Sequence, residues 1–401
     1  MKFLRNTLDK YKHNFEKGGK WERFYYAFEA IDTFAFAPNL TAQARGAHIR
    51  DAMDMKRLMI TVIISMVPAL LFGMYNVGYQ HFLAIGEQAE WMDMFLVGLK
   101  QVLPVIVVSY GVGLGIEFLF AILRRHPVNE GYLVTGMLIP LVMPPDIPLW
   151  QVAVATAFAV VIGKEAFGGT GMNILNVALT ARAFLYFAYP LQMSGDVWTY
   201  IGEGQKTVEG YSGATPLAIG NAVATSGQNA VEALNEFGAG WAPEGFYSLQ
   251  NLFLGFMPGS VGETSTLMCL IGALILVVTG TGSWKIIVST FAGAYVMGFV
   301  MNLLGGNAYV LLPAHYHLVI GGFAFGAVWM ATDPVTASQT EAGKWFYGFL
   351  IGVLTVLIRV FNPAYPEGIM LAILFMNVFA PLIDYFVVNA NKKRRLQRAT
   401  V

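Results

Sequence analysis

The chain has 401 residues, of which 56% are hydrophobic and only 12% are charged. Soluble globular domains carry about 25% charged residues, so this composition excludes a soluble protein and indicates one that lies in a membrane. The 25 basic and 25 acidic residues cancel, which argues against nucleic acid as a partner. With one cysteine, the chain alone forms neither a disulfide nor a thiolate metal site, and we predict no metal site in it.

Long apolar runs follow one another along most of the chain. A helix needs about 20 apolar residues to cross the hydrocarbon core of a membrane. Seven runs have roughly that length, and three more are shorter or interrupted by glycine and proline. We therefore predict an all-α polytopic membrane protein with about ten transmembrane helices, some of them broken. The seven long runs are residues 58–79, 95–123, 149–166, 264–281, 284–304, 344–361 and 367–388, and the three others are 130–144, 172–190 and 314–331.

The charged residues outside these runs predict how the chain is oriented. Eleven lysines and arginines lie within the first 57 residues, and five more follow the last run. The segment 191–262 instead has six acidic residues and one basic residue, Lys206. Because lysine and arginine concentrate on the cytoplasmic side of membrane proteins, we expect both termini in the cytoplasm and the 191–262 loop on the outer side. An even number of spans agrees with this.

The runs fall into two groups of five on either side of the 191–262 loop. Within them, Gly136–Pro148 loosely parallels Gly322–Pro334. An odd number of spans per group gives the groups opposite orientations, so we predict an inverted repeat, a fold that places broken helices and their site near the membrane midplane. The predicted organisation is a cytoplasmic amphipathic segment, a five-helix repeat, an outer loop, a second five-helix repeat and a basic cytoplasmic tail, at 1–57, 58–190, 191–262, 263–388 and 389–401.

The N-terminal segment has aromatic residues at helical spacing among its charges, as at Trp21, Phe24 and Phe28. This pattern is typical of a helix that lies on a membrane surface. The same pattern also fits a helix that packs against a partner subunit or lines the path of a lipophilic quinone. Periodicity does not distinguish these three interpretations.

Four small residues in the outer loop, Ser212-Gly213-Ala214-Thr215, leave the threonine hydroxyl accessible to a bulky reagent. In such a loop, this motif resembles the site at which a flavin transferase attaches FMN to threonine through a phosphoester bond. Substrates of that enzyme usually carry aspartate six residues before the threonine and often a second hydroxyl residue three after it. Here Glu209 and Ala218 occupy these positions. We therefore expect slower or incomplete modification of Thr215, but modification nonetheless.

Several acidic residues fall at membrane depth, where ionisable groups are costly and usually face a cavity or a partner. Asp333 precedes Pro334 at a helix break, where a carboxylate and free carbonyls can hold Na⁺. It could equally cap the following segment. Asp384 lies near the basic tail, and Glu130 follows two arginines, so each could be an ion-pair partner.

Other polar or small residues interrupt the apolar runs. Asn173 and Asn176 stand three apart, which would place them on one helix face. Their amides suit either the edge of an isoalloxazine ring or hydrogen bonds between helices. Lys164 and Glu165 are adjacent near a predicted interface, where we expect a capping or solvated role. A G-x-G-x-G pattern at 111–115 lacks a preceding strand, so we interpret it as helix packing and not as a dinucleotide site.

Segments spread over nearly the whole chain resemble the B subunits of sodium-translocating NADH:quinone oxidoreductases, whose family also contains the D subunits of Rnf electron-transport complexes. The Rnf subunits typically lack so long an N-terminal extension, so they are the second alternative. The similar segments, besides the Ser-Gly-Ala-Thr motif, are Ala47–Met59, Val128–Gly136, Lys164–Ala183, Pro258–Thr266, Met330–Ser338, Arg359–Leu371 and Phe379–Phe386.

The resemblance implies two flavins and a path for electrons through a bacterial inner-membrane complex. FMN would be esterified to Thr215, and riboflavin would bind without a covalent bond near Asn173 and Asn176. Electrons would arrive from a neighbouring FMN-bearing subunit and reach ubiquinone near the cytoplasmic face, with coupled outward movement of Na⁺. The acids implicated in sodium movement would be Glu130, Asp333 and Asp384. A non-redox solute transporter with an unmodified threonine and a purely structural anchor for partner subunits are the other hypotheses.

Overall fold

A computed structural model describes residues 2–16, 18–36, 55–128, 131–195, 197–362 and 367–399. Within these residues the protein contains helices, turns and irregular segments, and no strand. The helices are α1 (Lys2–Phe15), α2 (Tyr25–Ala35), α3 (Met55–Ile85), α4 (Trp91–Arg124), α5 (Gly131–Leu141), α6 (Leu149–Gly163), α7 (Val177–Ala188), α8 (Pro216–Ser226), α9 (Ala230–Glu236), α10 (Leu249–Leu254), α11 (Thr266–Val278), α12 (Trp284–Leu304), α13 (Tyr316–Val319), α14 (Phe323–Phe325, continued by a π-helical turn, Gly326–Met330), α15 (Glu341–Phe361) and α16 (Ile369–Ala399).

Six of the described helices are long and apolar enough to span a membrane: α3, α4, α6 with the turn that follows it, α12, α15 and α16. Three further apolar helices, α5, α7 and α11, are shorter. Together with the broken element made of α13, α14 and the π-helical turn, they account for the ten predicted membrane elements. The predicted fold class, an all-α polytopic membrane protein, is confirmed. The run predicted at 264–281 forms only the 13-residue helix α11, because turns occupy both of its ends.

The two ends of the helix bundle differ in what they carry. Near the C-terminal end of α3, Val208 N donates to Ala84 O (2.9 Å), so the 191–262 segment covers this end, which we call the loop face. At the other end, Lys285 at the start of α12 pairs with Glu341 at the start of α15. We call it the basic face, because α16 ends there with its basic tail. Successive membrane elements alternate between these faces. The division into two inverted repeats remains a prediction. Two inverted groups of five elements require successive elements to alternate in direction, as they do here.

Helices α3 and α4 pack through glycines that allow their backbones to touch. A Cβ at Gly78 would lie 1.8 Å from Met94 O, and one at Gly98 would lie 1.7 Å from Met74 O. Small residues promote such close approach in membranes, where helix association depends on van der Waals packing. No side chain can be added at either position unless the two helices separate.

The predicted role of the G-x-G-x-G pattern in helix packing is correct for only one of its glycines. A Cβ at Gly113 would lie 1.9 Å from the Tyr132 ring, whereas the positions at Gly111 and Gly115 face open space. Three glycines two apart point in different directions on a helix, so one packing surface cannot use them all.

The breaks in the membrane elements leave backbone carbonyls that need partners in a hydrocarbon environment. At the end of α5, Leu141 O accepts from Gly262 N (2.8 Å), and Val142 O accepts from Arg182 Nη1 (2.6 Å). At the end of α13, His317 O and Ile320 O accept from the two Nη atoms of Arg359 (2.6 and 2.8 Å). One buried arginine from each group of five elements therefore stabilises one break.

The described residues of the 191–262 segment form one unit, whose apolar core they share with residues 309–320. Its helices α8, α9 and α10 surround stacked aromatic rings, such as Phe237 and Tyr247 at 5.0 Å. The unit therefore forms a platform for the residues that precede α8. The buried members of this core include Leu217, Val223, Leu234, Phe246, Tyr247, Leu252, Tyr309 and Leu312.

The N-terminal segment forms α1 and α2, which pack on each other through stacked Phe15 and Phe28 rings at 4.6 Å. Trp21 and Phe24 nevertheless keep about half of their surface exposed, at 51% and 48%. The spacing predicted an amphipathic helix, and α2 supplies it from Tyr25 onward, with Trp21 and Phe24 in the turn before it.

The close packing of α3 and α4 is testable with two glycines of the same helix. We expect Gly98→Val to lower the free energy of unfolding by roughly 1–3 kcal/mol, because the added side chain meets backbone that can move only with its helix. Gly111→Val is the matched control and should leave the thermal unfolding temperature near that of the wild type. Equal thermal stability of the two variants would contradict the packing described here.

Candidate functional site

Thr215 stands at the N-cap of α8, directly before Pro216. Its Oγ1 accepts a hydrogen bond from Ala218 N (3.3 Å). Serine and threonine are preferred at this position because they satisfy a backbone N–H that has no partner in the helix, and proline is favoured immediately after it. The local sequence thus explains both the start of α8 and the placement of the threonine hydroxyl at its N-terminus.

The residues before Thr215 are held from two sides. Ser212 Oγ accepts from Ala214 N (3.3 Å), and Tyr247 Oη donates to Ala214 O (2.7 Å). Gly213 is buried between these contacts. The four-residue motif is therefore a fixed turn against the aromatic core of the 191–262 unit, with the threonine at its end only half-buried.

Thr215 lines a cavity of about 370 Å³, which we call the threonine cavity. Its opposite wall comes from the membrane elements and carries three charged groups, Arg182, Glu263 and Glu367. Trp198, Asn221, Ser260, Thr264, Gly321 and Gly322 also line it. The cavity therefore lies between the start of α8 and the helix breaks that the two buried arginines stabilise.

Arg182 organises the charged wall. Its guanidinium pairs with Glu263 Oε2 (2.8 Å) and with Glu367 Oε1, and it also donates to Ser260 Oγ (3.1 Å). The Trp198 ring lies 5.6 Å from its Cζ. This one side chain thereby joins α7 to two segments that lie far apart in the chain.

Three acceptors on this wall have no hydrogen-bond partner among the described residues: Glu263 Oε1, Glu367 Oε2 and Thr264 Oγ1. Buried polar atoms are normally hydrogen-bonded, so an unpaired set indicates a bound molecule or water. A bound molecule would have to offer donors on this side. Gly322 leaves the necessary space, since a Cβ there would lie 2.6 Å from Glu263 Oε1.

A second cavity, of about 100 Å³, brings Asn173, Asn176 and Asp333 together near the basic face. We call it the amide cavity. Asn176 Nδ2 donates to Asp333 Oδ2 (3.4 Å) across 157 positions of sequence. The sequence suggested different ligands for the amides and the carboxylate, but they line one cavity.

The prediction that Asn173 and Asn176 share a helix face is wrong. The chain from Gly168 to Gly171 contains three glycines with positive φ, so the helix does not begin until Val177. Asn176 is the N-cap of α7, and its Oδ1 accepts from Leu179 N (3.1 Å). Asn173 lies in the preceding turn and donates to Leu175 O (3.0 Å).

Asp333 has the local capping geometry that was one of its two interpretations. Its Oδ1 accepts from Val335 N (3.1 Å), and its Oδ2 accepts from Thr336 Oγ1 (3.1 Å). The carboxylate also lines the amide cavity. Capping therefore orients the carboxylate, and its place in an ion pathway remains a prediction.

A buried polar chain behind Asn176 was not predicted. Asn377 lies in the middle of α16 and is 1% exposed. Its amide is hydrogen-bonded to Tyr347 Oη (2.7 Å) and lies 3.1 Å from Asn176 N. The only signal in the sequence is an asparagine within an apolar run, which does not identify its partners.

Lys164 and Glu165 are buried, so the expected solvated role is wrong, whereas the expected capping role is correct for Lys164, the C-cap residue of α6. Lys164 pairs with Glu117 of α4, and Glu165 accepts from Arg124 Nη1 (3.2 Å). Adjacent charges at the end of α6 thus each find a partner on the neighbouring helix. The sequence did not reveal this because Glu117 lies within an apolar run of α4 and Arg124 directly follows that run, with no local pattern that links either to the end of α6.

Asp384 binds the turn that precedes α15. It accepts from Ser338 Oγ (2.7 Å), from Gln339 N (2.7 Å) and from both N and Oγ1 of Thr340 (2.9 and 2.6 Å). It thereby positions Thr340, which is the N-cap of α15. These contacts involve no residue of the basic tail. Glu130, the third acid of the predicted ion pathway, lies outside the described residues.

The contacts of Asp384 predict a structural contribution that is separate from any ion. We expect Asp384→Ala to lower the free energy of unfolding by roughly 1–3 kcal/mol, because four donors lose a charged acceptor. The measurement is thermal unfolding of the purified protein. Exposed Asp93 of α4 offers a matched control, since Asp93→Ala should change that energy by no more than about 0.5 kcal/mol. Wild-type stability of Asp384→Ala would contradict this role.

Known proteins match this chain over nearly its full length. The family described as NQR2, RnfD, RnfE matches residues 42–393. The B subunit of the Na(+)-translocating NADH-quinone reductase from Chromohalobacter salexigens is 49% identical, with 98% of this chain and 96% of that protein covered. The B subunits of the same name from Ectopseudomonas mendocina and Pseudomonas aeruginosa are 49% and 48% identical and are 99% covered. The chain belongs to the NQR2, RnfD, RnfE family.

Proposed function

We propose that this chain is the membrane subunit of a sodium-translocating NADH:quinone reductase and that it carries FMN as a phosphoester on Thr215. The observation that carries the proposal is the threonine hydroxyl at the N-terminus of α8, on the wall of a cavity of about 370 Å³. Relatives that bear the reductase name match 98% of the chain, which supports the assignment of the whole protein.

The setting of Thr215 suits a phosphoester. Backbone N–H groups and the helix dipole make the N-terminus of a helix favourable for phosphate, and α8 has 11 residues. Cofactor pockets have volumes of roughly 300–1,000 Å³, a range that includes the threonine cavity. The unpaired acceptors of Glu263, Glu367 and Thr264 suit the hydroxyl and imide donors of a flavin. FMN would supply one- and two-electron redox chemistry there.

Riboflavin is the proposed second cofactor, at the amide cavity. The amides of Asn173 and Asn176 match the donors and acceptors on the pyrimidine edge of a flavin. A cavity of about 100 Å³ has room for that edge and not for the whole ring system. We therefore assign only the edge to this cavity. Asp333 in the same cavity would join Glu130 and Asp384 in the sodium pathway.

The proposed reaction joins the two faces of the protein. Oxidation of NADH in a partner subunit supplies two electrons, and ubiquinone takes up two electrons and two protons to form ubiquinol. Partner subunits, one of them bearing a second FMN, would bring electrons to the loop face, and Na⁺ would be exported. The loop face would lie outside the bacterial inner membrane and both termini in the cytoplasm, which agrees with the basic residues at both ends of the chain.

The Rnf D subunit is the alternative within the family. The relatives that match 98% of this chain are named as reductase B subunits, and their alignments include the N-terminal extension. This favours the sodium-translocating reductase. A non-redox transporter leaves the geometry of the threonine cavity without a role.

The covalent flavin is testable with variants that keep the helix cap. Asparagine caps helices as well as threonine does but cannot form a phosphoester. We expect Thr215→Asn to fold and to give no fluorescent band after denaturing electrophoresis, whereas Thr215→Ser keeps a hydroxyl and should retain some fluorescence. Mass analysis should find FMN less one water on the wild-type peptide that contains Thr215.

The expression host must contain an active flavin transferase for this test to be informative. A dark and unmodified wild-type band from such cells would reject the covalent flavin and favour the transporter. Fluorescence that persists in Thr215→Asn would place the flavin on another residue.

The departures from the usual motif predict that modification can be improved. Glu209 is exposed on the chain that leads to Thr215, and its side chain is one methylene longer than the usual aspartate. We expect Glu209→Asp to increase the rate of flavin attachment by a few fold. The carboxylate would then lie at the distance from the backbone that it has in the usual substrates of the transferase. The rate is measured in vitro with purified transferase. Exposed Glu203→Asp is the control, and an unchanged rate in Glu209→Asp would reject the role of this position.

A further inference from the structure

The ion pair of Lys164 and Glu117 lies beside the amide cavity, but only one of its partners lines it. Lys164 Nζ contacts Glu117 Oε1, and the two side chains are 3% and 5% exposed. Lys164 is among the residues that line the amide cavity, together with Asn173 and Asp333, whereas Glu117 is not. Lys164 Nζ also lies 5.7 Å from the centroid of the Tyr132 ring.

Stability alone does not explain such a pair. Removing two charges from water costs free energy, and replacing a buried ion pair with apolar residues of similar size is often neutral or stabilising. Charges in a buried setting act strongly on their neighbours because little solvent screens them. Since Lys164 lines the cavity and Glu117 does not, the positive member of the pair is the nearer one to whatever occupies the cavity, and the pair presents positive potential there.

We propose that Lys164 tunes the redox ligand of the amide cavity, by stabilising the negative charge that the ligand gains on reduction while Glu117 holds the ammonium in place. This rests on the proposed function, in which the edge of a non-covalent flavin occupies that cavity. Uptake of two electrons and one proton by a neutral ligand leaves it with one negative charge. The electrons come from NADH, which is oxidised to NAD⁺. Charge near the ring nitrogens is a known means by which proteins adjust flavins.

The test is a redox titration of the non-covalent flavin in the whole complex. Its decisive variant is Glu117→Leu/Lys164→Met, which replaces the ion pair with apolar residues of similar volume and leaves no buried charge unpaired. We expect this variant to have a lower midpoint potential than the wild type, because the positive charge is gone. Lys164→Arg keeps a positive charge that Glu117 can still pair, so it should keep a midpoint potential near that of the wild type. A fall in potential in the double variant that is absent in Lys164→Arg is not expected if the pair only packs the helices.

The neighbouring ion pair provides a matched control. Arg124 and Glu165 join the same segments, but neither lines the amide cavity. The variant Arg124→Gln/Glu165→Gln removes two charges of the same kinds and should keep the wild-type midpoint potential and flavin content. An equal shift in this control would overturn the proposal, because the effect would then not be specific to Lys164.

Flavin content is the second measurement, made by extraction after denaturation. Loss of the non-covalent flavin from an assembled double variant that keeps its covalent FMN would support the proposal, since packing is preserved. Unchanged potential and content in that variant, or an equal fall in potential in Lys164→Arg, would overturn it. A wild-type complex that releases no non-covalent flavin would reject the proposed occupant of the cavity itself, and this inference with it.

Discussion

The need to satisfy backbone carbonyls within the membrane determines much of this structure. Helices that break in a hydrocarbon environment leave carbonyls that water does not reach, so another part of the protein must supply donors. Arg182 and Arg359 do so at the ends of α5 and α13. Each brings a positive charge to a place where charge is costly. The acidic partners of Arg182 then have to be buried beside it, and they form the charged wall of the threonine cavity.

The threonine cavity lies between two helix ends whose backbone groups need hydrogen-bond partners, and each end satisfies them in a different way. On one wall, a threonine caps a helix whose first N–H groups have no partner. On the other, Arg182, Glu263 and Glu367 surround the end of a broken helix. Both arrangements leave polar groups directed at a shared space. A phosphorylated redox cofactor on the threonine would use the helix N-terminus for its phosphate and the buried acceptors for its donors.

Much of the fold could be predicted because the signals are local. Apolar runs of about 20 residues specify membrane helices, and seven of the ten elements follow from runs of that length. Glycine and proline predicted breaks in the other three runs, and the helices there, α5, α7 and α13, are short. The Ser-Gly-Ala-Thr motif was recognised by its resemblance to a flavin-attachment site, and the helix cap that its threonine forms was not predicted. The shared helix face expected for Asn173 and Asn176 was wrong because three glycines with positive φ delay the helix.

The sequence by itself determined the membrane class, the ten apolar elements and the candidate threonine, since composition, periodicity and short motifs act over one or two turns of chain. Only the tertiary structure decided which polar groups meet. Asn176 and Asp333 are 157 positions apart, and Lys164 meets Glu117 across 47. Such pairs form because a buried charge or amide must find a partner wherever the packing of helices brings one. No periodicity encodes that choice, which depends on how all ten elements pack together.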